Sequence, residues 1–297
     1  MLVDMYPWKT NFQNACEVIP LLEKATNDCL HGEFRDQSVV RLPAHGQLIM
    51  TGDMHDHAIH LEKILNYAAL DNHKDNHIFF HELIHGENLI NGMDFSYRMI
   101  LRMAELLCRY PAQIHPILAN HEISQFSQAG VSKGAGDQVQ LFNTAVEWSF
   151  QDDAEEVSEM LYRFMRSWPI AIITDNGIMA AHSLPAERVM PLFDPTIINR
   201  PLIESDFTPR TGSAYLMVWG RHHSPEHLKQ LAEMFGVKVF CLGHEHAESG
   251  YQLIGNNTII LNSDHERGVI LPVDLSEEPK CSSWPWSVIP LGALPVS

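Results

Sequence analysis

Histidine is the residue type that stands out in this chain of 297 residues. It occurs 18 times, almost as often as the 20 lysines and arginines together. Imidazole is the commonest metal ligand among side chains, and its charge changes near neutral pH. Several histidines stand beside carboxylate or amide residues, in the strings GDMH (residues 52–55), ANHE (119–122) and GHEH (243–246). These residue types in this pattern point first to metal-dependent chemistry.

Each of these strings follows a segment with the pattern of a strand. The predicted strands cover residues 47–51, 77–80, 114–118, 178–181 and 237–242. In open α/β sheets, ligands bind beyond the carboxyl ends of the strands, where the loops converge. The five strand ends are therefore expected to bring together the polar residues that follow them: Asp53, His55, His81, Glu82, Asn120, His182, His244 and His246.

The pairs Asp53/His55 and His244/His246 each have one intervening residue. On extended backbone this spacing points both side chains the same way, so each pair could hold a cation from one side. The glycines before the two pairs, Gly52 and Gly243, are expected to allow a tight turn. A single pair of this kind is more simply explained as a surface pair. Chance alone, however, explains poorly why metal-capable residues follow five separate strands.

Helices that alternate with these strands indicate the fold class. Apolar residues at positions 61, 64, 65 and 68 have the spacing of an amphipathic helix, and similar stripes predict helices over 94–109 and 154–165 and between 224 and 236. A hairpin is predicted over 169–181, and an antiparallel meander over 251–254, 258–261 and 269–273. This order predicts an α/β fold with layered mixed sheets.

The same patterns suggest one domain over residues 1–297. Residues 1–45 are expected to form a helical N-terminal extension around residues 16–26, and the Pro- and Trp-rich residues 282–297 an irregular C-terminal tail. Residues 128–137 have the composition of a flexible insertion.

The charge and the cysteines exclude several classes of protein. The formal charge is 20 − 37 = −17 without any basic run, which argues against a nucleic-acid partner. No stretch has the roughly 18 to 20 apolar residues of a membrane span. The first ten residues lack the basic start and apolar core of a secretory signal. The five cysteines have no CxxC spacing, so we predict reduced thiols and a cytoplasmic location.

The ordered strings resemble those of the calcineurin-like metallophosphoesterases, which read GDxH, GDxxDRG, GNHE, a single His and GHxH. Here they read GDMH, HELIHGE (81–87), ANHE, His182 and GHEH, over about residues 47–246. The strings CRYPAQIHPILANHE (108–122) and WPIAIITDNGIMAAHSL (168–184) are similar to passages of the phosphoprotein (Ser/Thr) phosphatase branch. The resemblance implies a layered α/β/β/α sandwich.

The resemblance also implies a site with two metal ions. Asp53, His55, Glu82 and His246 would hold one ion, and Glu82 (bridging), Asn120, His182 and His244 the other. Such mixed nitrogen and oxygen ligands suit Mn, Fe or Zn. A hydroxide that bridges the ions would attack the phosphorus of a phosphomonoester, and His121 would donate a proton to the leaving alkoxide. Catalysis would then rest on Asp53 and His121, and substrate binding on Asn120 and His121.

The second string departs from the family pattern. Glu82 replaces the bridging aspartate, and His81 replaces a glycine, either as an extra ligand or as a block to the substrate. His85 replaces the aspartate that orients the proton donor, and Gly86 replaces an arginine that clamps the phosphate. Arg221 is a candidate for the missing phosphate contact, although an exposed, ion-paired arginine would be the simpler explanation.

Two alternatives remain open. The altered second string is compatible with a catalytically weakened module that binds metal or a phosphorylated ligand. Residues 81–85 also spell HExxH, which in zinc metalloproteases places two zinc ligands and a general base on one helix. That motif needs a helix where a strand is predicted to end, and it leaves Asp53, Asn120 and His244 unexplained. We therefore predict a phosphatase that acts on a phosphorylated protein or a small phosphoester.

Overall fold

The computed structural model describes residues 7–129 and 137–296. Its strands are β1 (Arg35–Asp36), β2 (Val39–Leu42), β3 (Gln47–Thr51), β4 (Asn76–Phe80), β5 (Ile114–Pro116), β6 (Ala171–Thr174), β7 (Ile178–Ala181), β8 (Val239–Leu242), β9 (Tyr251–Ile254), β10 (Thr258–Leu261), β11 (Val269–Asp274) and β12 (Ile289–Pro290). Its α-helices are α1 (Ala15–Leu30), α2 (Ala58–Ala68), α3 (Tyr97–Arg109), α4 (Asn120–Phe126), α5 (Gln138–Phe150), α6 (Ala154–Arg166), α7 (Ser213–Trp219) and α8 (Pro225–Phe235).

Within these ranges the strands form two mixed sheets. The first has the order β1-β2-β6-β7-β8-β10-β9, and the second has the order β12-β11-β3-β4-β5. Strands β3, β4 and β5 run parallel, as do β7, β8 and β10. The α/β class with two mixed sheets, predicted from the alternation of strands and helices, is confirmed.

The two sheets face each other across an apolar layer. On β3, Leu48 and Met50 belong to a buried cluster that also contains Ile172 of β6 in the other sheet. Ile49 lies between them in sequence and belongs to the cluster that contains the helix residue Ile100. Successive side chains of a strand point to opposite faces. Each sheet therefore has one face toward the other sheet and one toward helices, as in an α/β/β/α sandwich.

The N-terminal segment is more than a helical extension. α1 begins after Asn14, whose side chain accepts a hydrogen bond from the backbone N–H of Cys16, and it buries Val18 and Leu22. β1 and β2 follow within residues 1–45, and β2 pairs in parallel with β6. These strands were not predicted, and they make this segment one edge of the first sheet.

The predicted C-terminal meander is wrong in its last strand. β9 and β10 form the expected antiparallel pair, but β11 crosses to the second sheet and pairs with β3. Val269 and Leu271 of β11 then join the layer between the sheets. A local apolar pattern predicts a strand, but it does not say which sheet offers that strand a free edge.

Two other predictions concern the C-terminal tail and one insertion. Residues 282–297, predicted to be irregular, contain part of a 3-10 turn (Cys281–Trp286) and also β12, which pairs with β11. Most of the insertion predicted at 128–137 lies outside the described residues. Residues 1–6 lie wholly outside them. None of the described helices is both long and apolar enough to span a bilayer.

A buried histidine pair gives a test of the fold. His77 Nδ1 lies 3.1 Å from His115 Nε2, and burial lowers the pKa of His115 well below 6.5. Since His115 stays neutral when folded but charges when unfolded, it lowers stability as the pH falls below 6.5. We expect His115→Gln to reduce this fall by about 1 kcal/mol per pH unit between about pH 6 and 5.

Urea denaturation of the metal-free protein at several pH values measures this effect. His31→Gln removes an exposed histidine and serves as the control for the loss of an imidazole elsewhere. An unchanged slope in His115→Gln would show that His115 is not held neutral by burial.

Candidate metal centre

The carboxyl ends of five strands converge on one buried group of polar side chains. Asp53 follows β3, Glu82 follows β4, and Asn120 follows β5 as the first residue of α4. His182 follows β7 and His244 follows β8. All five residues are buried, which is unusual for carboxylates unless they are paired or bind a metal.

Asp53, His81 and His182 form a first cluster with metal-ligand spacing. One ligand atom from each residue lies within 4.8 Å of the other two. Asp53 Oδ1 is 3.4 Å from His81 Nδ1 and 3.7 Å from His182 Nδ1, and the two Nδ1 atoms are 2.9 Å apart. The backbone N–H of His244 donates to both oxygens of Asp53, at 3.0 and 3.2 Å, so the carboxylate is held in place.

His55, Glu82 and His121 form a second cluster of the same kind. Glu82 Oε1 lies 3.5 Å from His121 Nε2 and 4.0 Å from His55 Nε2. His55 Nδ1 lies 3.1 Å from the carbonyl oxygen of Ile84, which accepts a hydrogen bond when that nitrogen carries the proton. That bond would orient the His55 ring so that Nε2, which then carries no proton, faces Glu82.

His182 connects the two clusters. Its Nδ1 belongs to the first cluster, while its Nε2 lies 3.4 Å from Glu82 Oε2 in the second. The same Nε2 is 2.6 Å from Asn120 Oδ1 and 3.0 Å from His244 Nδ1. The ring of His182 therefore lies between two neighbouring groups of candidate ligands and contacts both.

Burial keeps the central histidines neutral. It lowers the pKa of His81 to about 3 and the pKa values of His182 and His244 well below 6.5. A metal ligand must offer an unprotonated nitrogen. These three imidazoles therefore have the protonation state that a metal site needs.

Two observations test whether these residues fit metal ions. His244 Nε2 is buried and has no hydrogen-bond partner among residues 7–129 and 137–296, as expected for an atom with a missing ligand. Three non-glycine residues of the centre have left-handed backbone: φ is 39° at His55, 49° at Glu82 and 67° at His244. Such strain is typical of functional sites. The nitrogen and carboxylate donors suit Mn, Fe or Zn.

The left-handed residues also explain why the predicted DxH and HxH pairs separate. Both pairs were predicted for extended backbone, which His55 and His244 do not have. Asp53 therefore lies in the first cluster and His55 in the second. His246 is exposed, lies in neither cluster, and has its ring centroid 5.5 Å from that of His265.

Gly52 and Gly243 are required by close approach and not by a tight turn. A Cβ atom at Gly243 would lie 2.3 Å from Asp53 Oδ1 and 2.3 Å from His81 Cε1. A Cβ at Gly52 would lie 2.2 Å from the carbonyl oxygen of Leu261. Any larger residue at these positions would push apart the strand ends that form the centre.

A comparison with known protein families covers most of the chain. The model of the calcineurin-like phosphoesterase family matches residues 47–248. The chain belongs to this family. No curated protein sequence matches it.

Two solved structures have a similar fold. The chain is similar to a protein serine/threonine phosphatase from Saccharomyces cerevisiae with similarity to human phosphatase PP5, at 14% identity over 88% of this chain and 83% of that chain, with a TM-score of 0.64. It is also similar to the cold-active protein-tyrosine phosphatase of a psychrophilic Shewanella, at 13% identity over 80% and 77% of the two chains, with a TM-score of 0.51. At these identities the likeness concerns the fold.

The residues that depart from the family pattern have specific places in this phosphoesterase. His81 is fully buried and belongs to the first cluster. His85 Nδ1 lies 2.7 Å from Asp94 Oδ2, and the His85 ring centroid is 5.2 Å from that of His121. A buried aspartate–histidine pair thus lies next to His121, where the family has an aspartate.

The metalloprotease alternative requires a helix over residues 81–85, and the structure has none there. Residues 81–89, all of them described, form no helix. His81 and His85 therefore do not share a helical face. His81 contacts Asp53 and His182 instead, and His85 contacts Asp94.

Arg221 lies at the edge of the centre. Its Nη1 donates to the carbonyl oxygen of His244 at 2.8 Å, and its Nη2 is 3.4 Å from His244 Nδ1. It forms no ion pair within the described part of the chain, so the ion-paired alternative does not hold there. An exposed guanidinium in this place has N–H groups left for an anion.

The role of Asp94 was not predicted, and His81 was predicted only as an extra ligand or a block to the substrate. Asp94 reaches His85 through the loop of residues 86–93, and nothing in that spacing signals the contact. His81 could have been predicted as a ligand outright, because it stands directly after β4 beside Glu82.

Proposed function

We propose that this phosphoesterase is a binuclear metal-dependent phosphomonoesterase of the Ser/Thr phosphatase type. The observation that carries the proposal is the pair of three-residue clusters, buried except for the partly buried His55 and connected through His182, whose Nε2 lies 3.4 Å from Glu82 Oε2. Its substrate would be a phosphorylated protein or a small phosphoester. In two-metal enzymes an in-line displacement takes place between the ions.

We assign the ligands from the two clusters and their neighbours. Asp53, His81 and His182 would hold one ion; His55 and Glu82, with Asn120 and His244, would complete the second. When bound, the ions would supply positive charge to the phosphate and lower the pKa of the attacking water. His246 would take no part, because it is exposed and stands apart from both clusters.

Three residues would act on the substrate directly. His121, the second residue of α4, would donate a proton to the leaving oxygen. Asn120 would hold a phosphate oxygen through its amide N–H. Arg221 would use the N–H groups that do not bind His244 to hold another phosphate oxygen, in place of the arginine that Gly86 replaces.

Hydrolysis of p-nitrophenyl phosphate tests this proposal. The protein is first stripped with a chelator and then titrated with Mn²⁺, Fe²⁺ or Zn²⁺ while turnover and bound metal are measured. Turnover that rises with the second equivalent of metal supports a binuclear phosphatase. Two bound ions without turnover on any phosphoester would favour the binding module, for which the loss of an arginine at Gly86 is the main argument.

His81→Gln gives a sharper test of the ligand assignment. We expect this change to weaken the tighter metal site by at least about ten-fold, because it removes a nitrogen donor while keeping a side chain of similar length. Competition with a chelating dye measures the affinity. The matched control is His246→Gln, for which we expect no change. A loss of metal affinity in His246→Gln but not in His81→Gln would instead support the ligand set that the family resemblance implies.

A further inference from the structure

A cavity of about 390 Å³ lies beside the candidate metal centre. It is lined by Arg188, Arg210, Tyr215, Trp219 and Gly220, together with three apolar side chains. Tyr215 and Trp219 are four residues apart on α7, so their side chains lie on the same face of that helix. Their rings are stacked, with centroids 5.6 Å apart and an interplanar angle of 29°. The cavity therefore has an aromatic wall.

Two contacts connect this cavity to the metal centre. The Trp219 ring is perpendicular to that of His244, with centroids 5.9 Å apart. The carbonyl oxygen of Gly220 accepts a hydrogen bond from Ser183 Oγ at 2.6 Å, and Ser183 directly follows His182. A group bound in the cavity would thus be one side chain away from the candidate ligands.

The cavity is positively charged in a strongly acidic protein. The whole chain has a formal charge of −17, yet the described residues that line the cavity include two arginines and no carboxylate. Within residues 7–129 and 137–296, Arg188 and Arg210 donate no side-chain hydrogen bond and form no ion pair. Both are exposed. Two guanidinium groups without a protein partner at one cavity are suited to bind an anion.

A third polar group at the aromatic wall also has no partner. Trp219 Nε1 is buried and has no acceptor in the described part of the chain. An indole N–H in this state is usually satisfied by water or by a ligand.

We propose that this cavity binds the leaving group of an aromatic phosphomonoester that carries a second anionic group on its ring. The aromatic ring would pack against Tyr215 and Trp219, and the anion would be bound by Arg188 and Arg210. The inference rests on the proposed phosphatase function, because it assigns the substrate class of that same site. We take this second anionic group to be a carboxylate, because its two oxygens can accept two parallel hydrogen bonds from one planar guanidinium.

Two substrates that differ in one carboxylate test the proposal. Phenyl phosphate and 4-carboxyphenyl phosphate release similar phenolates, so their ratio of kcat/KM reports binding of the carboxylate. We expect wild-type protein to prefer 4-carboxyphenyl phosphate by about ten-fold, mainly through KM. In the double variant Arg188→Gln/Arg210→Gln the preference should disappear. Lys229→Gln removes an exposed cation elsewhere and should keep it.

Tyr215→Leu tests the aromatic wall separately. It should lower kcat/KM for both aromatic esters by several-fold while leaving glycerol 2-phosphate unchanged. Hydrolysis of all three esters without any preference in the wild-type protein would overturn the cavity assignment and leave the phosphatase function intact.

A binding measurement tests the cavity assignment independently of the phosphatase function. The product 4-hydroxybenzoate should bind to the wild-type protein in a calorimeter, compete with the substrate, and lose its affinity in the double arginine variant. If no ester is hydrolysed but this binding persists and needs both arginines, the phosphatase function fails and the cavity remains an anion-binding site. If 4-hydroxybenzoate does not bind to the wild-type protein, the cavity assignment is wrong.

Discussion

Replacing Asp53 with asparagine is expected to abolish phosphoester hydrolysis. The carboxylate lies 3.4 Å from His81 Nδ1 and 3.7 Å from His182 Nδ1, and the backbone N–H of His244 donates to both of its oxygens. The amide keeps the shape but removes the negative charge that a cation needs. We expect kcat/KM for p-nitrophenyl phosphate to fall by about 10³-fold or more, together with the loss of one bound metal ion.

The control for this variant is Asp152→Asn, which changes an exposed aspartate at the turn before α6. It should retain full activity and both metal ions. Circular dichroism and the urea midpoint establish that Asp53→Asn remains folded. A folded Asp53→Asn protein that still hydrolyses the ester at the wild-type rate would remove Asp53 from the metal site.

His121→Ala is expected to have the second largest effect. As the proton donor, His121 matters most when the leaving group is a strong base. We expect kcat to fall by about 10²- to 10⁴-fold for an alkyl phosphate such as glycerol 2-phosphate, and much less for p-nitrophenyl phosphate, whose leaving group needs little protonation. The content of bound metal should stay at the wild-type level.

The His121→Ala variant also tests whether His121 is a metal ligand instead of a proton donor. His121 Nε2 lies 3.5 Å from Glu82 Oε1, so this imidazole is also within reach of the second cluster. If His121→Ala loses a metal ion and slows both esters equally, His121 is a ligand and not a proton donor. His45→Ala, at an exposed histidine, is the control for the loss of an imidazole elsewhere.

The convergence of the polar residues is the part that the sequence predicts best. Strand patterns end just before Asp53, Glu82, Asn120, His182 and His244, and the rule that loops meet at the carboxyl ends of parallel strands then brings these residues together. The rule needs only the strand ends and the parallel direction. It does not need the packing between the sheets.

The orientation of the side chains could not be predicted in the same way. His246 separates from His244 because the backbone of His244 is left-handed, at a φ of 67°. A histidine in a sequence gives no sign of this conformation, which glycine or asparagine would have suggested. The contact between His85 and Asp94 depends likewise on the course of an irregular loop.

The course of β11 shows the same limit at the level of the fold. Its apolar residues predict a strand correctly, and its pairing with β3 depends on which sheet edge is free after residue 261. The pairing depends on packing in the apolar layer between the sheets, in which Val269 and Leu271 are buried. Local patterns therefore predict the elements, while long-range packing decides their partners.

The number and positions of the bound metal ions test the central claim most directly. Crystals of the protein saturated with Mn²⁺ can be measured at the manganese absorption edge, where anomalous scattering locates each ion. We predict two ions per chain, one contacted by Asp53, His81 and His182, and the other by His55 and Glu82. A single ion, an ion held by His81, Glu82 and His85 alone, or no ion at saturating Mn²⁺ would contradict the assignment of a binuclear phosphoesterase.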